Sequence, residues 1–200
     1  MHIGTIGASN VAQAVSRHLL AAGHTVTLSN SRGPETLDDV VAALGKGAKA
    51  GTREEAASAD IVLLAVFWPR LDEALAGLPD WNNRILIDAT NAFESYAPDF
   101  KRAELNGRTS SEIVAEHAPG ARIVKAFNTI YYKNIEADPA ANGGRRVLFI
   151  SGDDAEAKAV VSDLLTSMGF APIDIGGLVE GGGLQQLGGA LASHNLIKLG

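Results

Sequence analysis

Cysteine is absent from the 200 residues, which excludes a disulfide frame and a thiolate metal site. Long apolar stretches are absent too: the longest, Ile61 to Trp68, is far too short to span a membrane. No basic run interrupts a formal net charge of −6, which argues against a general nucleic-acid binder. No charged segment followed by an apolar one opens the chain; a strand pattern begins at once. The five histidines, at positions 2, 18, 24, 117 and 194, lack metal-ligand spacing, so no metal is expected. These absences leave a cytoplasmic protein with a small-molecule substrate, and neither nucleic acid nor membrane as partner. Hydrophobic residues, at 46%, suffice for the core of one large α/β domain.

Strand and helix patterns alternate, which implies a Rossmann-type, doubly wound α/β fold: a mainly parallel sheet, helices on both faces and a short C-terminal extension. His2 to Ile6 reads as a buried strand. Val11, Ala14, Val15, Leu19 and Ala22 then repeat at helical spacing until Gly23, and His24 to Ser29 is the next strand. Pro34 to Leu44 is helical, and Thr52 with Glu55 forms a capping box for a short helix ending at Ala57. Ile61 to Val66 is the continuous apolar run of a central parallel strand. A helix over Leu71 to Leu78 and a strand over Arg84 to Asp88 follow. Ala92 to Arg108 is irregular and aromatic, after which Thr109 and Glu112 cap another helix. Strands over Arg122 to Phe127, Arg146 to Ile150 and Phe170 to Ile175 complete the pattern, with a helix from Asp154 to Met168. Seven of the 14 residues from Gly176 to Gly189 are glycine, either a loop or a closing flap.

Chemistry is expected outside the carboxyl ends of the strands. Gly7-Ala8-Ser9-Asn10-Val11-Ala12 stands where a dinucleotide turn would carry Gly-x-Gly-x-x-Gly, but only Gly7 is glycine. Ala12 is small enough for helix–strand contact; Ser9 is the larger departure, bringing a Cβ and a hydroxyl to the pyrophosphate position. No Asp or Glu lies between Gly23 and Glu35, where an NAD site keeps its ribose-binding acid. Asn30-Ser31-Arg32 stands there instead, and a guanidinium with hydroxyl donors holds a ribose 2′-phosphate that a carboxylate would repel. The expected cofactor is therefore NADP(H). Further strand ends carry Ala65-Val66-Phe67-Trp68, Ala89-Thr90-Asn91 and Ala126-Phe127-Asn128-Thr129. Their amides suit a nicotinamide carboxamide, and Phe127 and Trp68 are candidates to wall a flat ring. Residues 1–175 are thus read as the NADP-binding Rossmann domain, and 176–200 as a Gly-rich flap and C-terminal helix of the same domain. Leu184, Leu187, Leu191, Leu196 and Leu199 offer a homodimer face.

The strings Ile3 to Ala12, Asn30-Ser31-Arg32-Gly33-Pro34, Leu64-Ala65-Val66, Asp88-Ala89-Thr90-Asn91 and Val124-Lys125-Ala126-Phe127-Asn128-Thr129, with Leu184-Gln185-Gln186 near the end, resemble the NADPH-dependent deazaflavin reductases. These are the coenzyme F-420:NADP oxidoreductases, and the resemblance runs nearly the whole chain. A flavin-using ferric and cupric reductase module of eukaryotic membrane proteins is similar too. The resemblance implies that Gly7, Ala8, Ser9, Asn10 and Val11 hold the pyrophosphate, and that Asn30, Ser31 and Arg32 hold the 2′-phosphate. It puts Ala65, Val66, Phe67, Asn91, Ala126, Phe127 and Asn128 along the cofactor and the second ring system, with coenzyme F-420, FMN or FAD as co-substrate. Phe67 and Ala92 stand where the family often has a small residue or proline, which leaves the acceptor open. No catalytic acid is needed, since the cofactors carry the hydride and the protein sets distance and field. Lys125 and His194 are the only basic candidates near the acceptor, each equally readable as a plain solvent-facing residue. Two rivals stand beside this reading: an NADP-dependent dehydrogenase of a small metabolite, and a non-enzymatic NADPH-binding module.

Overall fold

The computed structural model describes residues 1–200. Six strands, β1 (His2–Ile6), β2 (Thr25–Ser29), β3 (Ala48–Ala50), β4 (Ile61–Leu64), β5 (Ile85–Asp88) and β6 (Arg122–Lys125), form one parallel sheet in the order β3-β2-β1-β4-β5-β6. The order reverses between β1 and β4, whose register pairs Ile3 with Ile61 and Ile6 with Leu64.

Burial on both faces explains the unbroken apolar runs. Ile61 and Leu63 join one core with Ile3, Val26 and Leu28, under α1 (Asn10–Ala21) and α7 (Ala155–Ser167). Val62 and Leu64 point the other way, into a second core with Trp81 and with α4 (Leu71–Leu75) and α5 (Ser110–His117). The two remaining helices of the nucleotide half are α2 (Asp38–Leu44) and α3 (Arg53–Ala57). Both expected capping boxes are present, at Thr52 and Thr109, and they fix where α3 and α5 begin. A Cβ on Gly4 would lie 1.8 Å from the Ala56 carbonyl oxygen, so glycine in β1 is what admits α3 against the sheet.

A second strand group follows α6 (Tyr132–Glu136). In it β8 (Gly144–Ile150) pairs in parallel with β9 (Ala171–Asp174) and antiparallel with β7 (Ala140–Ala141). It meets the main sheet at one point, where Lys125 and Ser151 exchange backbone hydrogen bonds of 2.8 and 3.2 Å. The C-terminal segment differs from expectation. Its helix, α8 (Glu180–Gln185), lies inside the Gly-rich stretch, and the chain ends in β10 (Ile197–Leu199), antiparallel to β8. The free edge of β8 offers backbone partners that a few residues after Asn195 gain more from than from an unsupported helical turn. The leucines divide as well: Leu187 and Leu191 turn inward, while Leu184, Leu196 and Leu199 are exposed.

Candidate functional site

At the point where strand order reverses, the ends of β1 and β4 open a groove with two compartments. The first, of about 480 Å³, is bounded by Gly7, Ala8 and Ser9 on one side and Asn30, Ser31 and Arg32 on the other. Gly7 has φ +95°, and a Cβ there would stand 2.5 Å from the Ala65 carbonyl oxygen. Only glycine makes this turn while keeping β1 against β4. Ser9 has ordinary extended backbone, φ −65° and ψ 169°, so glycine is not required by conformation. Its hydroxyl caps α1 by accepting from the Ala12 amide at 3.4 Å. The remaining first-turn amides of α1 have no intrahelical partner, a setting that favours an anion.

The loop after β2 is preset by its own hydrogen bonds. Asn30 Oδ1 accepts from the Arg32 amide at 2.8 Å, and Asn30 Nδ2 donates to Thr36 Oγ1 at 2.8 Å. The Thr36 hydroxyl in turn donates to the Gly33 carbonyl at 2.8 Å. Arg53, Arg70 and Glu73 also reach this compartment, although nothing in the sequence pattern singled them out. Two of these are already committed: Arg53 donates to the Glu73 carbonyl, and Arg70 pairs with the Glu73 carboxylate at 2.5 Å. Arg32 enters no ion pair, which leaves its guanidinium available.

The second compartment, about 660 Å³, shares Ser9, Ala65, Val66 and Phe67 with the first. Asn91 and Asn128 line it, and so do Asn10 and Val11, which the resemblance put at the pyrophosphate. Asn91 Nδ2 donates to the Asn128 carbonyl at 3.0 Å, and Asn128 Nδ2 donates to the Gln185 carbonyl at 2.6 Å. Gln185, fully buried on α8, returns a bond from Nε2 to Asn128 Oδ1 at 2.9 Å. The Gly-rich segment is therefore fastened to the site by Gln185, part of the Leu184-Gln185-Gln186 string, to which the sequence assigned no role. Its other ties are Thr109 Oγ1 to the Leu178 carbonyl, 3.0 Å, and the Ser193 amide to the Thr129 carbonyl, 2.7 Å. The irregular Ala92 to Arg108 segment brings Phe93, Tyr96 and Phe100 over the compartment, with Tyr96 at 5.0 Å from Phe67, ring centre to ring centre. Tyr131 and Tyr132 close the far wall.

Several expected residues lie elsewhere. Ala126 and Phe127 are buried in the core and line neither compartment; a positive φ of 64° at Phe127 turns its ring inward. Trp68 packs on the second core instead of walling a ring. His194 is exposed and outside both compartments. Lys125 neither reaches solvent nor faces an acceptor. It is fully buried, its Nζ donating to Asp88 Oδ2 at 2.9 Å and to the Thr90 carbonyl at 3.2 Å. The Ser111 hydroxyl adds a 2.5 Å bond to Asp88 Oδ2, and Thr90 donates its amide and hydroxyl to Oδ1. Burial by itself pushes the Asp88 carboxyl up, but Lys125 with these hydrogen bonds outweighs it and holds the carboxyl below its ordinary range. The pair is a strut between β5 and β6 beneath the Asn91–Asn128 contact.

Residues 2–92 match the family model described as NADP oxidoreductase, coenzyme F420-dependent. A hypothetical protein from Sinorhizobium meliloti is 39% identical, with a TM-score of 0.91 over 99% of this chain and 95% of that one. A candidate F420-dependent NADP reductase from Arthrobacter sp. FB24 is 26% identical, with a TM-score of 0.69 over 88% and 84%. The metalloreductase STEAP3 of Rattus norvegicus is 30% identical over 179 residues, 89% of this chain and 34% of that protein. The chain thus spans about a third of that relative's length.

Proposed function

We propose, from the match of residues 2–92 to the coenzyme F420-dependent NADP oxidoreductases, that the chain transfers a hydride between NADP(H) and a flavin or deazaflavin ring. The observation that carries the reading is one continuous groove with an arginine-lined half and an aromatic half, joined at Ser9, Ala65, Val66 and Phe67. The groove fits a dinucleotide: the Gly7 turn, held tight against Ala65, leads straight into the first amides of α1. In this reading Gly7 to Val11 hold the pyrophosphate and Ser31 with Arg32 hold the 2′-phosphate. Asn91 and Asn128, held in place by Gln185, present amides to the nicotinamide.

The chemistry is supplied by the two rings, and the protein contributes orientation and exclusion of water. Bound side by side, the two rings would exchange a hydride between nicotinamide carbon 4 and N5 of a flavin, or carbon 5 of a deazaflavin, with a proton from solvent. NADPH becomes NADP+, and the acceptor gains two electrons and two hydrogens. The buried position of Lys125 removes it as the proton donor that the rival dehydrogenase reading needs, which leaves that role to the tyrosine hydroxyls of the second compartment. The test is anaerobic NADPH oxidation against coenzyme F-420, FMN, FAD and riboflavin, with NADH as control. NADPH-selective turnover with one ring system supports the reading; NADPH binding without turnover by any of them removes it.

A further inference from the structure

The two halves of the groove differ in charge. The first compartment holds Arg32, Arg53, Arg70 and Glu73. None of the 21 residues lining the second is Asp, Glu, Lys, Arg or His. Its walls are instead aromatic: Phe67, Phe93, Tyr96, Phe100, Tyr131 and Tyr132. All three tyrosines of the chain are among them. The rings form a chain from the end of β4 outward, with centres 5.0 Å apart for Phe67–Tyr96, 5.1 Å for Phe93–Tyr96 and 6.1 Å for Phe93–Phe100. The rest of its polar lining is uncharged as well, made of asparagine amides and of serine and threonine hydroxyls.

Lys133 and His194 adjoin lining residues in the chain but are exposed and do not line the compartment themselves, and other nearby cations are committed or set apart. Lys125 is buried against Asp88, and Lys101 is paired with Glu94. Arg102 lies against Gly188, at the flap beside Leu187, and does not line the compartment. A phosphate or carboxylate entering this space would lose its water and meet no counter-charge, which is unfavourable. A neutral flat ring would find aromatic side chains and uncharged polar groups there.

Resting on the hydride-transfer reading above, we infer that the second compartment selects its acceptor as an uncharged flat ring: a flavin or deazaflavin recognised by ring stacking and amides alone. An anionic tail adds nothing to recognition. Riboflavin and FMN, which differ only in the phosphate, are the probes. Flavin fluorescence titration of the full chain saturated with NADP+ gives binding, and anaerobic NADPH oxidation gives kcat/KM. Riboflavin is expected to match FMN within about threefold in both, with little change between about 50 and about 500 mM salt, since no charge pair is screened. A preference for FMN of about tenfold or more, erased by Arg102→Gln, would mean that a cation at the mouth reads the tail, and would overturn the inference. Absence of riboflavin binding to the NADP+-loaded protein would overturn it equally. Riboflavin binding without turnover of riboflavin, FMN, FAD or coenzyme F-420 leaves the neutral-ring site standing and removes only the hydride-transfer reading.

Discussion

Arg32 is free of any carboxylate, and its backbone is held by Asn30, so the guanidinium can meet a 2′-phosphate without first breaking a bond. Arg32→Ala should weaken NADPH by roughly 1.5–3 kcal/mol, the scale of a charge-assisted hydrogen bond, and leave NADH almost unchanged. Equal losses in a fluorescence titration of the two nucleotides would refute the assignment. Ser9 acts on the helix as well as the groove. Ser9→Ala should cost about 1 kcal/mol in urea unfolding through the lost cap, and Ser9→Gly only a few tenths. The motif comparison marked Ser9 as a misfit in a glycine turn. Its backbone explains why it is tolerated: φ −65° suits any residue, unlike φ +95° at Gly7.

Among the elements, β5 and β6 are tied by a buried ion pair that the sequence did not announce. A lysine at a strand end reads as solvent-facing, and only the arrival of α5, which brings Ser111 over Asp88, shows that it is enclosed. Lys125→Met alone should cost roughly 3–5 kcal/mol by stranding a buried carboxylate, whereas adding Asp88→Leu should restore most of it. The sign with pH follows from the depressed Asp88 carboxyl. The stabilisation is fully present above the unfolded value of about 3.9 and is lost as pH falls through the folded one. Acid unfolding of the native chain should therefore begin below about pH 4, and the double variant should lack that component. Helix α8 was equally hidden: seven glycines suggest a loose flap, yet Gln185 locks it to Asn128. The capping boxes of α3 and α5, by contrast, are local bonds between residues three apart, so the sequence carries them in full.

Across the whole molecule, the alternating pattern made the doubly wound sheet legible, because fully buried parallel strands leave unbroken apolar runs such as Ile61 to Leu64. The first compartment was legible in part: one turn and one strand end, 20 to 25 residues apart, supply its anion-binding candidates, while Arg53, Arg70 and Glu73 come from segments with no such signal. The second was only half legible. Asn91 and Asn128 sit at strand ends, but the aromatic wall comes from an irregular segment and from Tyr131 and Tyr132, which follow no period. Phe127 was misread because its left-handed backbone reverses the side chain that a regular strand end would present. The aromatic half has a kinetic consequence. Burial pushes the Tyr96 hydroxyl up, and the neighbouring Tyr131 pushes up Tyr132. With no carboxylate, histidine or lysine in the compartment, kcat for ring reduction should stay level between about pH 6 and about pH 9. A bell-shaped profile would point to a titrating donor and favour the dehydrogenase rival.

The most direct measurement is label transfer from NADPH carrying deuterium at carbon 4 to 5-deazariboflavin, read by mass spectrometry of the reduced ring. Carbon 5 of this neutral acceptor retains what it receives. The expected result is one deuterium at carbon 5 from NADPH labelled on one face, dependent on the protein and far weaker with NADH. Unlabelled product from both of the face-labelled forms of NADPH, or equal transfer from both nucleotides, would contradict direct hydride transfer in an NADP-selective groove.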